Sequence, residues 1–149
     1  DADEQRRAEF VAQWSNVSPK SHLDIGSSRG YLLEQIDAEI QHGYDTNPNY
    51  GKRIQVYSNK EHLQTYDLVT SVHCLEHVTD PMQELRWYKS VTKDLLYIEV
   101  PGERSKGGPL RFAHLFYYPP ALLVDMLESV GLKVIRTDTA PHIHILCKV

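Results

Sequence analysis

The segment "SVHCLEHV" brings together three side chains with acid–base or ligand chemistry: His73, Glu76 and His77. Imidazole gains and loses a proton near neutral pH, and a carboxylate accepts protons or binds cations. The spacing H-x-x-E-H also occurs in inverted zinc proteases, where the ligands share one face of a helix. Here the helix start signals, Asp80 and Pro81, come only after the trio. We therefore expect the trio in a turn and set the protease hypothesis aside.

A second group of polar and small residues follows a short apolar run in "SHLDIGSSRG". Gly26 and Gly30 frame this loop, and Asp24 precedes it. Glycines between a strand and a helix allow the backbone to approach a ligand closely. The pattern D-I-G-S-S-R-G lacks the three glycines of a dinucleotide-binding loop, and the chain has no G-K-[ST] phosphate loop. The loop therefore favours a nucleotide-like ligand with fewer phosphates.

Strand and helix patterns alternate along the chain and must position these residues. Strand-like runs are "HLDIG", "EIQHGYD", "QVYS", "YDLVTSV", "LLYIEVPG", "KVIRTDT" and "HIHILCKV". Helix-like runs are "DEQRRAEFVAQW", "SRGYLLEQI", "DPMQELRWYKSV" and "PPALLVDMLESVG". This alternation predicts an α/β fold, a three-layer sandwich around a mostly parallel, seven-stranded sheet with an antiparallel last strand. In such sheets ligands bind beyond the carboxyl ends of the strands, where the strand order reverses.

Length and composition are those of one globular domain. We assign residues 1–149 to it, with an N-terminal helix and linker over 1–20 and the core over 21–149. The apolar runs are too short to span a membrane, and no signal-peptide pattern is present. A net charge of −4 argues against nucleic acid as a partner. The two cysteines form no spacing motif, which favours a reducing, cytoplasmic setting.

Four motifs in order resemble the class I S-adenosylmethionine-dependent methyltransferases, and most closely their small-molecule members with "LEH" after the fourth strand. The first resembles D-x-G-x-G-x-G, with Ser28 in place of the middle glycine. The motifs are "LDIGSSRGYLL", "GYDTNP", "YDLVTSVHCLEHVTDP" and "HLFYYPPALLVDMLESVGLKVI". The resemblance covers the chain from Ser21 onward. It implies a Rossmann-like fold and S-adenosyl-L-methionine as the cofactor.

The resemblance also implies which residues hold the methionine part of the cofactor. Gly26 and Gly30 would let the backbone pass close beneath it, and Ser27 and Ser28 would supply donors for its carboxylate. Asp24 would lie near its amino group. A carboxylate in this place can equally serve to hydrogen-bond the loop itself.

The nucleoside part is assigned in the same way. Asp45, at the end of the second strand, would accept both ribose hydroxyls, although it could also cap the turn that follows. Thr46, Ser58 and Asn59 would surround the adenine. His73, at the end of the fourth strand, completes the cofactor-binding set.

Methyl transfer to a hydroxyl requires an aligned acceptor and a group that removes its proton. The resemblance places His77 beside the cofactor and His114 in the connection that covers the acceptor, so we predict both as catalytic, with Glu76 as the alternative proton acceptor. Either histidine could instead fix its own turn by a backbone hydrogen bond. Ubiquinone-pathway relatives carry E-x-x-E-H in this segment, and some hold a divalent ion there. Because His73 replaces the first glutamate and methyl transfer needs no metal, we predict none.

The connection "GERSKGGPLRFAHLFYYPP" carries a local positive excess from Arg104, Lys106 and Arg111. Over an acceptor site these cations would favour an anionic small molecule, sugar or glycan, and we predict O-methylation of such an acceptor. Two alternatives stay open. One is a degenerate fold that serves as an interaction module, for which Ser28 and a shortened second helix argue. The other is methylation of RNA or protein. Only the positive charge of this connection favours it, and the absence of an N-P-P-Y motif after the fourth strand argues against it.

Overall fold

The computed structural model of the chain describes residues 2–13, 18–47, 54–103 and 113–149. Within these ranges no helix is both long enough and apolar enough to cross a membrane. The helices and strands are α1 (Ala2–Ala12), β1 (Ser21–Ile25), β2 (Ile40–Tyr44), β3 (Gln55–Tyr57), β4 (Tyr66–Val72), α2 (Pro81–Val91), β5 (Thr92–Val100), α3 (Pro120–Ser129), β6 (Lys133–Asp138) and β7 (Ile143–Lys148).

The described strands form one seven-stranded sheet in the order β3-β2-β1-β4-β5-β7-β6. β1 pairs in parallel with β2 and β4, and parallel pairing continues to β3 and β5. β7 lies antiparallel between β5 and β6. The predicted sheet, mostly parallel with an antiparallel last strand, is confirmed. Because the strand order reverses between β1 and β4, their carboxyl ends form the crevice in which such folds bind ligands.

Side chains of β5 alternate between two hydrophobic clusters, one on each face of the sheet. Leu96 packs with residues of α2 and α3 on one face. Tyr97 packs on the other face with Val11 of α1 and with Leu32, which follows the first glycine loop. The three layers that the sequence predicts are therefore present, and one outer layer consists of α1 and a short turn.

The segment after the first glycine loop differs from the predicted helix "SRGYLLEQI". It forms a single 3₁₀ turn, Leu33–Gln35, before the chain enters β2. The side-chain amide of Gln41 donates hydrogen bonds to the carbonyl oxygens of Leu33 and Ile36, at 2.7 and 2.6 Å. These bonds satisfy carbonyl groups that have no partner beyond the end of a short turn. Leu33 and Ile36 are nevertheless buried, as the apolar spacing predicts.

Glu76 and His77 of the opening motif stand in a turn, as predicted, and His73 lies between β4 and this turn. Residues Leu75–His77 form a 3₁₀ turn between β4 and α2. The side chain of Asp80 then caps α2 by accepting a hydrogen bond from the backbone N–H of Gln83 at 3.0 Å, and Pro81 occupies the first turn. The helix-borne ligand set of a zinc protease is therefore excluded.

Candidate active site

The glycine loop after β1 adopts left-handed backbone conformations at three positions. Gly26, Ser28 and Gly30 have φ values of +73°, +47° and +78°. Ser28 takes a left-handed conformation, which glycine adopts readily and which a β-carbon makes unfavourable. The loop shape therefore survives the serine, which removes one argument for a degenerate site. The backbone N–H of Gly26 donates to the carbonyl of Tyr44 at 2.7 Å and joins the loop to the end of β2.

Within this loop, the side chain of Ser27 packs against Gly43 of β2. A β-carbon built on Gly43 would lie 2.3 Å from Ser27 Oγ and 2.8 Å from Ser27 Cβ, so β2 requires glycine at this position. Ser27 is 5% exposed, and its hydroxyl has no hydrogen-bond partner among the described residues. The contact sets the distance between the loop and β2.

Asp24 is held from inside the sheet. The Thr70 hydroxyl donates to Asp24 Oδ1 at 2.7 Å, and His22 Nε2 lies 2.9 Å from the same hydroxyl. Because that hydroxyl donates its proton to Asp24, His22 Nε2 must be the donor to it. Burial lowers the pKa of His22 to about 3, so its ring is neutral. These two hydrogen bonds, from His22 to Thr70 and from Thr70 to Asp24, fix the carboxylate that is predicted to lie near the cofactor's amino group.

Asp45 bridges the two loops that the sequence assigns to the cofactor. Its Oδ2 accepts a hydrogen bond from the backbone N–H of Ser28 at 3.0 Å, and its Oδ1 accepts one from the backbone N–H of Asn47 at 2.9 Å. Each carboxylate oxygen can accept a further hydrogen bond. The turn-capping contact and the ribose contact are therefore compatible at this residue.

The residues predicted around adenine lie on the same edge of the sheet. Thr46 follows β2, and Ser58 and Asn59 follow β3; all three are exposed. The Asn59 side chain accepts from the backbone N–H of Glu61 at 2.9 Å and caps the 3₁₀ turn Lys60–His62. That turn lies between β3 and β4. Residues 48–53, in the segment where the sequence predicts a shortened second helix, lie outside the described residues.

Glu76 is the most deeply buried titratable residue of the LEH turn, Leu75–His77. It is 1% exposed, and neither carboxylate oxygen has a hydrogen-bond partner among the described residues. Three imidazoles surround Oε1: His77 Nε2 at 3.7 Å, His114 Nε2 at 3.9 Å and His73 Nδ1 at 3.9 Å. A buried carboxylate without a hydrogen bond is unfavourable, so its presence points to a chemical role or to a bound cation. The three predicted catalytic residues are thus brought together.

The chain following the long connection is fastened to this turn. The backbone N–H of Leu115 donates to the Glu76 carbonyl at 2.8 Å, and the Tyr118 hydroxyl donates to the Leu75 carbonyl at 3.3 Å. His77 Nδ1 lies 2.8 Å from the Ala113 carbonyl. A carbonyl only accepts, so His77 carries a proton on Nδ1 and its Nε2 faces Glu76. His77 therefore fixes its own turn by a backbone hydrogen bond, the alternative that the sequence left open, and also lies among the imidazoles around Glu76.

Glu76, His77 and His114 also offer ligand atoms that lie within 4.8 Å of one another. Two imidazoles and a carboxylate suit a first-row divalent cation. Such an ion, held by these three residues, would polarise an acceptor hydroxyl. The donor set fits an ion, and the absence of a metal stays a prediction.

Sequence reasoning missed a second buried carboxylate, Glu99, as part of the site. It is 1% exposed and lies 2.8 Å from His73 Nε2. Arg7 donates to both of its oxygens at 2.7 Å. Glu99, His73 and His142 also present ligand atoms close together, but the guanidinium already supplies the positive charge there. Arg7 and Glu99 are 92 positions apart, so no local pattern could have paired them.

Cys74 adjoins the loop but has no nucleophilic role. A β-carbon on Gly26 would lie 3.3 Å from Cys74 Sγ. Burial raises the pKa of the Cys74 thiol to about 11, so the thiol is protonated at physiological pH.

The predicted acceptor cations Arg104, Lys106 and Arg111 lie outside the described residues. Among the described residues, a cavity of about 250 Å³ lies between α1 and the ends of β5, β6 and β7. Its wall contains Phe10, Glu99 and His142.

A sheet with this strand order, carrying a glycine loop after β1 and an acidic residue after β2, defines a nucleoside-cofactor-binding α/β domain. The family model described as "Methyltransferase domain" matches residues 3–137. The chain therefore belongs to the class I S-adenosylmethionine-dependent methyltransferase family, as the sequence predicts, and S-adenosylmethionine is that family's cofactor. The assignment to its LEH subgroup stays a prediction.

Known proteins similar to the chain agree with this assignment. A ubiquinone biosynthesis O-methyltransferase from Saccharophagus degradans is 30% identical over 98 residues, covering 53% of this chain and 42% of that protein. The chain thus spans less than half the length of this curated relative.

Similar folds occur among solved structures. A S-adenosylmethionine-dependent methyltransferase from Clostridium acetobutylicum has a TM-score of 0.78 at 11% identity, with 100% of this chain and 92% of that chain covered. One from Aquifex aeolicus has a TM-score of 0.75 at 14% identity, covering 99% and 97%. Magnesium protoporphyrin IX methyltransferase from Synechocystis, solved with bound cofactor, has a TM-score of 0.70 at 16% identity, covering 99% and 80%.

Proposed function

We propose that the protein transfers the methyl group of S-adenosylmethionine to a hydroxyl oxygen of a small acceptor. The observation that carries the proposal is Glu76, a carboxylate that is 1% exposed, surrounded by three imidazoles, and located at the carboxyl end of β4. The glycine loop and Asp45 lie at the neighbouring strand ends, where the cofactor of this family would bind. Methyl transfer to a hydroxyl needs an activated methyl group and a proton acceptor next to each other. The cofactor-binding loops would supply the first and the Glu76 cluster the second.

The proton acceptor we assign is His114. The cofactor's sulfonium supplies an activated methyl, so the protein must align the acceptor oxygen and take its proton. His114 would accept that proton, and the Glu76 carboxylate, 3.9 Å from His114 Nε2, would stabilise the imidazolium formed. His77 Nε2 lies 3.7 Å from the same oxygen, and His77 itself is fixed by the hydrogen bond from its Nδ1 to the Ala113 carbonyl.

Transfer to oxygen of a small acceptor is supported by two observations. The relative from Saccharophagus degradans is named as an O-methyltransferase. The cavity beside α1, about 250 Å³, has room for a ring-sized group, and its wall includes Glu99, which contacts His73 of the imidazole cluster at 2.8 Å. A sugar or the end of a glycan is included in this class, with Arg104, Lys106 and Arg111 as candidate contacts for an anionic group.

Calorimetric titration with S-adenosylhomocysteine tests the cofactor half of the proposal. We expect saturable one-to-one binding, and absence of binding would favour the interaction module. A screen with methyl-labelled cofactor against phenols, sugars and RNA tests the acceptor half. Label transferred to RNA alone would contradict transfer to a small molecule.

Asp45→Ala is expected to weaken S-adenosylhomocysteine binding by about tenfold to a hundredfold, because a charge-assisted ribose contact is lost. The same variant also loses the contacts with the Ser28 and Asn47 backbone, so thermal unfolding is measured alongside. Asp45→Asn is the matched control, since it keeps an acceptor oxygen and loses the charge. Wild-type affinity in both variants would remove Asp45 from the cofactor site.

A further inference from the structure

Helix α1 is attached to the end of β5 by a buried ion pair. Arg7 Nε and Nη2 each donate to a different oxygen of Glu99, both at 2.7 Å. The two side chains are 12% and 1% exposed. A bidentate guanidinium–carboxylate pair fixes the orientation of both groups.

Glu99 in turn holds His73 by its side chain and its main chain. His73 Nε2 lies 2.8 Å from Glu99 Oε1, and the backbone N–H of His73 donates to the Glu99 carbonyl at 2.9 Å. His73 has a φ of +51°, which is unfavourable for a residue with a β-carbon. Such a conformation persists only where surrounding contacts impose it, and Glu99 supplies these two.

The charge of Glu99 decides which nitrogen of His73 carries the proton. Burial alone would raise the pKa of Glu99, but hydrogen bonds from Arg7, His144 and His73 outweigh it and hold the pKa well below its usual range. An ionised carboxylate only accepts, so His73 donates from Nε2. His73 Nδ1 then faces Glu76 Oε1 at 3.9 Å, while the His142 ring packs edge-on at a centroid distance of 4.7 Å.

We propose that Arg7 is a positioning residue of the active site, fixing the ring orientation and tautomer of His73 through Glu99. Helix α1 is then a working part of the site in addition to its packing role. This inference rests on the proposed function and on the prediction that His73 belongs to the cofactor-binding set.

The body of α1 is anchored independently of Arg7, which makes the inference testable. Val11 is buried in the cluster on that face of the sheet, and the Phe10 ring lies 5.6 Å from the ring of Tyr97. Loss of Arg7 should therefore remove the cation that orients Glu99, and weaken the constraint on His73, while α1 stays in place. The Tyr97 hydroxyl at 2.9 Å and His144 Nδ1 at 3.3 Å remain as contacts of Glu99. Mutations that disturb a supporting network in this way typically change binding at the site by about two- to thirtyfold.

The experiment compares Arg7→Met with Arg6→Met. Arg6 is the matched control, because it is the adjacent arginine, its side chain is 65% exposed and it pairs with Asp3 within the helix. Long-range proton–nitrogen correlation spectra report the tautomer of each imidazole, and the His73 signals are those missing from His73→Gln. Titration with S-adenosylhomocysteine gives the affinity.

In the wild type and Arg6→Met we expect His73 protonated on Nε2. In Arg7→Met we expect a tautomer mixture and weaker cofactor binding, with Arg7→Lys intermediate because lysine keeps the charge but not the bidentate contact. Identical His73 signals and affinities in Arg7→Met and Arg6→Met would overturn the proposal. So would a wild-type His73 protonated on Nδ1, which needs no variant. If the wild type shows the Nε2 tautomer but binds no S-adenosylhomocysteine, the proposed function fails, and the Arg7→Met spectrum still decides whether Arg7 positions His73.

Discussion

Replacing His114 with alanine is expected to lower the turnover number by about a hundredfold to ten-thousandfold, because the acceptor's proton loses its base in the transition state. The cofactor's dissociation constant should barely change, since no cofactor contact is assigned to His114. Glu76→Gln should lower turnover as well, because the neutral amide no longer stabilises an imidazolium on His114. The measurement is transfer of labelled methyl to an acceptor found by the screen, with cofactor affinity measured by calorimetry.

Two other histidines serve as comparisons for His114→Ala. His62 lies exposed in the 3₁₀ turn after β3, so His62→Ala should keep wild-type turnover. His77→Ala should lower turnover and stability together, since its Nδ1 bonds the Ala113 carbonyl while its Nε2 faces Glu76. Full turnover in both His114→Ala and Glu76→Gln would contradict general-base catalysis. The acceptor's proton would then pass to water.

The parts of the site that the sequence predicted are those that depend on local sequence patterns. The capping signals at Asp80 and Pro81 begin a helix, which leaves the residues before them in a turn. The acidic residue after β2 and the glycine loop after β1 meet because parallel neighbours end on the same edge of the sheet. Asp45 and Ser28 are accordingly within hydrogen-bond distance.

The parts that it missed depend on contacts between distant segments. The pairing of Arg7 with Glu99 requires α1 to lie across the end of β5. Helical periodicity predicts that a helix forms but not where it packs, so this pairing could not be predicted. The predicted helix after the glycine loop was wrong for a related reason. The spacing of Leu33 and Ile36 suits a helix and a 3₁₀ turn alike, and the side chain of Gln41, on the next strand, stabilises the turn by bonding the carbonyls of both residues.

Gly43→Ala is expected to weaken S-adenosylhomocysteine binding by about fivefold to a hundredfold, because relieving an overpacking cost of about 1–3 kcal/mol moves the loop out of its binding position. The added methyl group would lie 2.3 Å from Ser27 Oγ and 2.8 Å from Ser27 Cβ. Rotation of the serine can move its hydroxyl but not its β-carbon, so the loop or β2 must shift. Overpacking of this kind costs about 1–3 kcal/mol of folding free energy. Calorimetry and denaturant unfolding measure the two effects.

The double variant Gly43→Ala with Ser27→Gly shows whether this contact is the cause. It removes both serine atoms and leaves a contact of 3.0 Å with Val56 Cγ2, which a side-chain adjustment can relieve. We expect the second substitution to restore most of the lost stability, with Ser27→Gly alone as the reference for the missing side chain. A double-mutant cycle then gives the coupling between the two positions. Stability that stays low in the double variant would assign the strain to Val56. If Gly43→Ala alone keeps full cofactor affinity, the loop after β1 does not hold the cofactor in the way its glycines indicate.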